Sequence, residues 1–219
     1  ANTDQDIYFS GAGSFAIPQR KLVTYLTISY IGSSVITGDI TGMKLTYLGL
    51  YDLGSSVITG DITDMKLTTL YLSKLGSSSV ITGDITDMGL TVMLLQNLGS
   101  SVIRGNITGM ELTDLFLRNI GSSVIEGEIT GMELIRLYLN GLGSSLTYGT
   151  NPLNITNSYG IQLLGNTVFA TAAEYEQLIH DAAIATWGGV YPFIITAGTN
   201  DNCPDWDDVK ADVAVLRGK

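Results

Sequence analysis

The stretch GSSVITGDITDMKLTTLYLSKL, residues 54–75, decides the fold, because the chain repeats it. The string Gly-Ser-Ser-Val-Ile begins at Gly32, Gly54, Gly99 and Gly121; Gly76 opens a copy that is one Ser longer, and Gly143 a fading one that reads Gly-Ser-Ser-Leu. Successive steps are 22, 22, 23, 22 and 22 residues. Between these turns a second element recurs, Leu-x-x-Leu-x-Leu-x-x-Leu-Gly. Its copies start at Val23, Leu45, Leu67, Leu90, Leu112 and Leu134, with Met93 replacing the middle Leu of the fourth. Self-similarity at a fixed period of this size marks a solenoid, in which one unit cannot bury its apolar face alone and neighbours must stack.

Within one copy, Leu45, Leu48 and Leu50 are spaced to point inward from a strand. Leu53, Val57, Ile58, Ile62 and Met65 are expected to complete the core of the next coil. Met43, Met65, Met88, Met110 and Met132 form a column of adaptable core filler. A coil of about 22 residues leaves no room for a helix on its return side, so turns, short 3₁₀ pieces or a second short strand at Val-Ile are expected there. Stacked strands lie about 4.8 Å apart.

The L-x-x-L-x-L pattern at this period resembles the leucine-rich repeat family from about residue 20 to 150. Ile-Thr-Gly-Asp-Ile is also similar to the Leu-Thr-Gly-x-Ile segment of the extracellular members. The Asn that usually follows the strand is absent, and Leu-Gly stands in its place. The resemblance implies an α/β solenoid, mostly β, wound as a right-handed coil with a parallel sheet. The organisation expected is an N-terminal cap (1–20), six repeats (21–145) and a small α/β C-terminal cap (146–219).

The caps follow from composition. Residues 1–20 carry Ile7, Tyr8, Phe9, Phe15 and Ile17 separated by Gly11 and Gly13, which reads as a short hairpin or coil. Leu146–Phe169 reads as one or two irregular strands. Thr171-Ala-Ala-Glu174 is a capping box, followed at helical spacing by Tyr175, Leu178, Ile179, Ala182 and Ala185. Val190–Ala197 reads as a strand. Pro204 opens a second helix with Trp206, Val209, Val213 and Leu216 on its inner face. Asp205, Asp207 and Asp208 fall in its first turn, where the dipole favours anions.

Composition narrows the function. The 219 residues carry 11 Lys+Arg against 21 Asp+Glu, a net charge of -10. With no basic stripe, this argues against nucleic acid and against anionic lipid. No apolar run approaches the ~18–20 residues of a membrane helix, so no membrane insertion is expected. Cys203 and His180 are the only residues of their kinds, which excludes an intrachain disulfide and a multi-histidine zinc site. The chain opens at Ala1 without a basic and apolar leader, which reads as a processed product or a fragment.

The repeats supply an internal comparison. Gly-Ser-Ser-Val-Ile-x-Gly-x-Ile-Thr-x-Met stays fixed, whereas the outward strand positions vary. One outward column reads Tyr25, Tyr47, Thr69, Val92, Asp114, Arg136; the next reads Thr27, Gly49, Tyr71, Leu94, Phe116, Tyr138. With Tyr51 and Arg118 just beyond, the candidate ligand-binding residues are Tyr25, Tyr47, Tyr51, Tyr71, Phe116, Arg118, Arg136 and Tyr138. Aromatic rings with a few charges on a rigid surface suit sugar stacking or protein contact. Cross-strand aromatic pairing accounts for the same rings without a ligand.

Three ladders have two readings each. Asp39, Asp61, Asp84, Asn106 and Glu128 could gather calcium, or cap turns; turn capping is preferred, and no metal or other cofactor is expected. Thr41, Thr63, Thr86, Thr108 and Thr130 are read as inter-coil hydroxyl bonds in preference to an ice-binding array. The repeated Ser pairs have no recurring base beside them, so no catalytic residue and no enzyme are expected. Asn106-Ile-Thr and Asn154-Ile-Thr are glycosylation sequons or ordinary turns. The expected function is recognition of a cell-surface glycan or protein receptor, outside the cell or on a virion surface. This resembles the repeats of bacterial surface adhesins and phage receptor-binding tips. The alternative is a self-associating subunit of a surface fibre or filament.

Overall fold

A computed structural model describes residues 6–10, 13–18, 23–29, 35–140, 142, 146–149, 160–165, 171–184, 193–197 and 206–217. The chain is mostly β, a parallel β-solenoid of about six turns with two short helices. It divides into two compact units, Ala1–Asn106 with Asn119–Ile125, and Ile107–Arg118 with Glu126–Lys219.

The first unit runs β1 (Asp6–Phe9), β2 (Phe15–Ala16), β3 (Tyr25–Ser29), β4 (Ile36–Asp39), β5 (Tyr47–Tyr51), β6 (Val57–Asp61), β7 (Thr69–Ser73), β8 (Val80–Asp84), β9 (Val92–Gln96) and β10 (Val102–Asn106). Odd-numbered strands pair in parallel in the order β1-β3-β5-β7-β9, and even-numbered strands in the order β2-β4-β6-β8-β10. Each coil therefore contributes one strand to a variable sheet and one to a return sheet. The register steps by one repeat, with Leu48 opposite Leu26 and Leu70 opposite Leu48. The second strand falls at Val-Ile, as expected. The N-terminal segment forms no hairpin: β1 and β2 pair in parallel with β3 and β4 and add a coil of the same kind.

The Leu and Met columns are buried as read, including Leu45, Leu48, Leu50, Leu53, Ile58, Ile62 and Met65. Val57 is a correction. It is 42% exposed, and Ser56 is buried in its place. The reason is hydrogen bonding. The Ile36 N–H points toward the next coil and donates to Ser56 Oγ at 2.9 Å. The Ile58, Ile81 and Ile103 N–H groups donate likewise to Ser79, Ser101 and Ser123. The Ser79 hydroxyl in turn donates a hydrogen bond to the Ser56 carbonyl at 2.9 Å. A buried N–H left without a partner costs about 1–3 kcal/mol. The hydroxyl therefore takes the inward position and the valine turns out.

Glycine in the return strand is required by close approach. A Cβ on Gly83 would lie 2.5 Å from Ile62 Cγ1, and one on Gly105 2.6 Å from Ile85 Cγ1, with φ of +154° and +148°. Isoleucine of one coil fills the notch left by glycine of the next. The extra Ser of the coil that opens at Gly76 is absorbed in its corner, where Ser77 and Ser78 are exposed and Ser79 is buried.

In the second unit β11 (Asp114–Arg118), β12 (Val124–Glu128), β13 (Arg136–Asn140), β14 (Leu146–Thr147), β15 (Gly160–Gly165), α1 (Ala172–Ile184), β16 (Phe193–Ala197) and α2 (Trp206–Arg217) follow in order. β13 pairs in parallel with β11 and β15, and β15 with β16. The residues of β12 that belong to this unit pair with β14. The capping box forms: Glu174 accepts from the Thr171 N–H and hydroxyl at 3.0 Å each. The same carboxylate accepts the Tyr148 N–H at 2.9 Å, tying α1 to the segment after β14. Tyr148 and Asp181 are buried, and Asp181 accepts from the Tyr148 hydroxyl and from Gln177 Nε2. Tyr175, Leu178, Ile179 and Ala182 form the buried face as expected, and Ala183 joins them. α1 packs on α2, where His180 Nδ1 lies 3.2 Å from Asp212. Ala185, Pro204 and Asp205 lie outside the described residues.

Candidate binding face

The variable sheet of the first unit gathers four of the expected residues and one that was missed. Tyr25 and Tyr47, opposite each other on β3 and β5, stack with centroids 3.9 Å apart at 11°. Tyr71 stands 5.9 Å from Tyr47, edge-on, and 5.8 Å from Tyr51. Tyr8 on β1 extends the row, 4.9 Å from Tyr25 and 64% exposed. It was overlooked because it stands 17 residues before Tyr25, off the 22-residue period. Its pairing opposite Thr27 puts it in the column of Gly49 and Tyr71.

Gly49 makes the arrangement possible. A Cβ there would lie 3.0 Å from both the Tyr47 and the Tyr51 ring, so those rings close over a position without a side chain. Burial, and then the Tyr25 hydroxyl, push the Tyr47 phenol up. Burial, and then the Tyr47 hydroxyl, push Tyr51 up further. These phenols stay neutral throughout the physiological range.

The second unit gathers a different set. Arg136 donates through Nε to the Asp114 carboxylate, which is buried and also accepts the Thr113 hydroxyl at 3.0 Å. The half-exposed Arg136 guanidinium lies 5.7 Å from the Phe116 ring centroid. Phe116 and Tyr138, paired across β11 and β13, stack at 6.1 Å and 20°. Arg118 is exposed and pairs in register with Asn140. Asp114 was in the column that was read but not among the expected binding residues. Its signal was an opposite charge one repeat before Arg136.

The ladders on the return side are occupied by the fold itself. Thr41 donates its hydroxyl to Asp39 Oδ1 at 2.7 Å and its N–H to the same atom at 2.9 Å. Thr41 Oγ1 then accepts the N–H of Asp61 from the next coil at 3.1 Å. Thr63 and Thr86 relay in the same way to Asp84 and Asn106. The threonine hydroxyl, and then its N–H, hold Asp39, Asp61 and Asp84 below the ordinary carboxylate range. This is the geometry of turn capping. A shallow cavity of about 280 Å³ lies at this corner, lined by Thr63, Asp64, Lys66, Asp84, Thr86 and Asp87 among others. Among the described residues no three His, Cys, Asp or Glu side chains converge to hold a metal. Asn106 is exposed at the end of β10, and Asn154 lies outside the described residues. No described helix is long and apolar enough to cross a membrane.

No protein-family model, curated protein or solved structure matches the chain.

Proposed function

We propose that this chain is a non-enzymatic recognition module that binds a cell-surface glycan or protein receptor through the outward face of its variable strands. It would act outside the cell or on a virion surface. One observation carries the reading: the outward side chains that differ from coil to coil are those that cluster as rings, while the inward Ser column and the Asp and Thr columns from residue 39 to 106 are engaged in bonds within and between coils. Tyr25, Tyr47, Tyr51 and Tyr71 meet in one unit, and Phe116, Arg136 and Tyr138 in the other. The Ser ladder, engaged in backbone hydrogen bonds, has no hydroxyl poised beside a base.

On the same footing, the coils are read as leucine-rich repeats on the strength of their L-x-x-L-x-L columns. The segment from β15 through α2 is read as an α/β C-terminal cap, since helices follow strands there. A glycan-array and cell-surface binding screen on the intact chain tests the function, with the Y71S/F116S/Y138S variant alongside. Binding that disappears in the variant, with its melting temperature little changed, supports the reading. A variant that unfolds would instead mark the rings as packing residues.

A second reading, a fibre or filament subunit, is favoured by the N-terminal coil. Among the described residues β1 and β2 pair on one side only, and Tyr8 and Phe15 are exposed there. Concentration-dependent polymers in electron micrographs would support it.

A further inference from the structure

The ring-bearing strands β3, β5, β7 and β9 of the first unit differ in charge from β11 and β13 of the second. The chain carries a net charge of -10. Yet the outward positions of β3, β5, β7 and β9 are four Tyr, two Thr, two Ser and one each of Gly, Val, Leu and Gln. None is ionisable near neutral pH; the edge strand β1, which adds Tyr8, brings a single carboxylate, Asp6, in register with Tyr25. The corner beyond these strands carries Asp52 and Lys74, whose charges cancel. The opposite rim carries Thr46, Thr68 and Thr91, which donate their hydroxyls to threonine carbonyls of the preceding coil. On β11 and β13 of the second unit, by contrast, Asp114, Arg118 and Arg136 fill three of six outward positions.

From this contrast we infer that the tyrosine-lined face of the first unit is a platform for an uncharged, linear polysaccharide; the inference rests on the recognition reading above and names its ligand class. Tyr8 is exposed and Tyr25, Tyr47, Tyr51 and Tyr71 are half-buried, so β1, β3, β5 and β7 offer apolar ring surface interspersed with phenol hydroxyls. A neutral sugar has the matching chemistry, C–H surface flanked by hydroxyls. Neither partner must strip water from a charge, the costly part of polar association. The platform is also periodic. Tyr8, Tyr25 and Tyr47 stand on successive strands about 4.8 Å apart. A ligand that repeats is gripped by several coils at once, and its affinity rises with length. A protein partner without internal repeats offers no such repetition.

The test measures binding of the full chain to neutral linear glucans, mannans and xylans, with polygalacturonate and alginate as charged counterparts. Oligosaccharides of increasing length and a salt series complete it. The expected result is binding to a neutral polymer that strengthens with length and is indifferent to salt. Y8S and Y71S should each weaken it about tenfold, a loss of one ring contact. R104S, on the return strand β10, should leave it unchanged, and Y71F should retain part of it by keeping the ring. Melting curves of each variant separate lost binding from lost fold, and Y8S alters the most exposed ring. Binding confined to the uronate polymers, lost in salt and in R118S, would overturn the inference. So would retention of no polysaccharide at all. In either case, cell-surface binding that Y71S/F116S/Y138S abolishes would leave the recognition reading standing, whereas its absence would remove both.

Discussion

The two sheets of the first unit are built from the same coils and obey opposite rules. On the return side two ladders are committed to the stacking of coils: serine hydroxyls to isoleucine N–H groups, and threonine hydroxyls to an aspartate behind and an N–H ahead. On the variable side the backbone ladder does most of the joining, and the outward rings touch one another across it. Where a position must serve the stacking of coils, the copies largely agree. Where it need not, they diverge, and there the rings collect. The fixed and the varying positions thus occupy different edges of one 22-residue unit.

Substitutions should break this contrast unequally. The largest effect is expected from Gly105→Ala on the return side. Its methyl group would meet Ile85 at 2.6 Å in a backbone conformation that L-residues avoid. Overpacking and strain together should cost about 3 kcal/mol or more in urea unfolding. Ser79→Ala comes next. It strands the buried Ile58 N–H and should cost about 1–3 kcal/mol by the same measurement.

On the variable side, Tyr25→Ser removes the closest ring stack, yet should cost only about 1 kcal/mol, because the backbone pairing beneath it is untouched. A loss as large as that of Ser79→Ala would erase the distinction between the two sides. The smallest effect is titration. Asp39, Asp61 and Asp84 are held below their ordinary range in the folded chain, by the hydroxyls and N–H groups of Thr41, Thr63 and Thr86. A depressed folded value means that the stabilisation is present above about pH 4, the unfolded range, and drains away as pH falls through the lower native values. The three carboxyls are exposed, so the acid shift in melting temperature should be slight. Thr63→Val should reduce it further.

Much of this was legible from residues alone. The period, the Leu and Met columns, the second strand at Val-Ile, the aspartate turn caps, the threonine relay and the Thr171–Glu174 box are local or repeated signals. Six copies amplify them. What escaped reading depended on partners one coil away. Val57 and Ser56 exchange places because an N–H of the preceding coil needs an oxygen, and hydropathy does not register that demand. Tyr8 joins the ring row because β1 pairs with β3, although its sequence is no copy of the repeat. Asp114 and Arg136 are ordinary charges until adjacent strands bring them together. The partition of eight expected binding residues between a neutral cluster and a charged one likewise follows from which strands share a unit.

The relay of aspartate and threonine has a genetic consequence. Each rung asks the next coil only for the same few atoms that it offers to the one after. A duplication or deletion of one whole coding repeat therefore leaves every junction satisfied. Unequal crossing-over between near-identical repeats would then change the molecule's length by about 4.8 Å at a time, carrying whichever outward residues travel with the copied segment. The scaffold tolerates such editing because its instructions are strictly local, while the exposed surface records each event as a new arrangement of side chains.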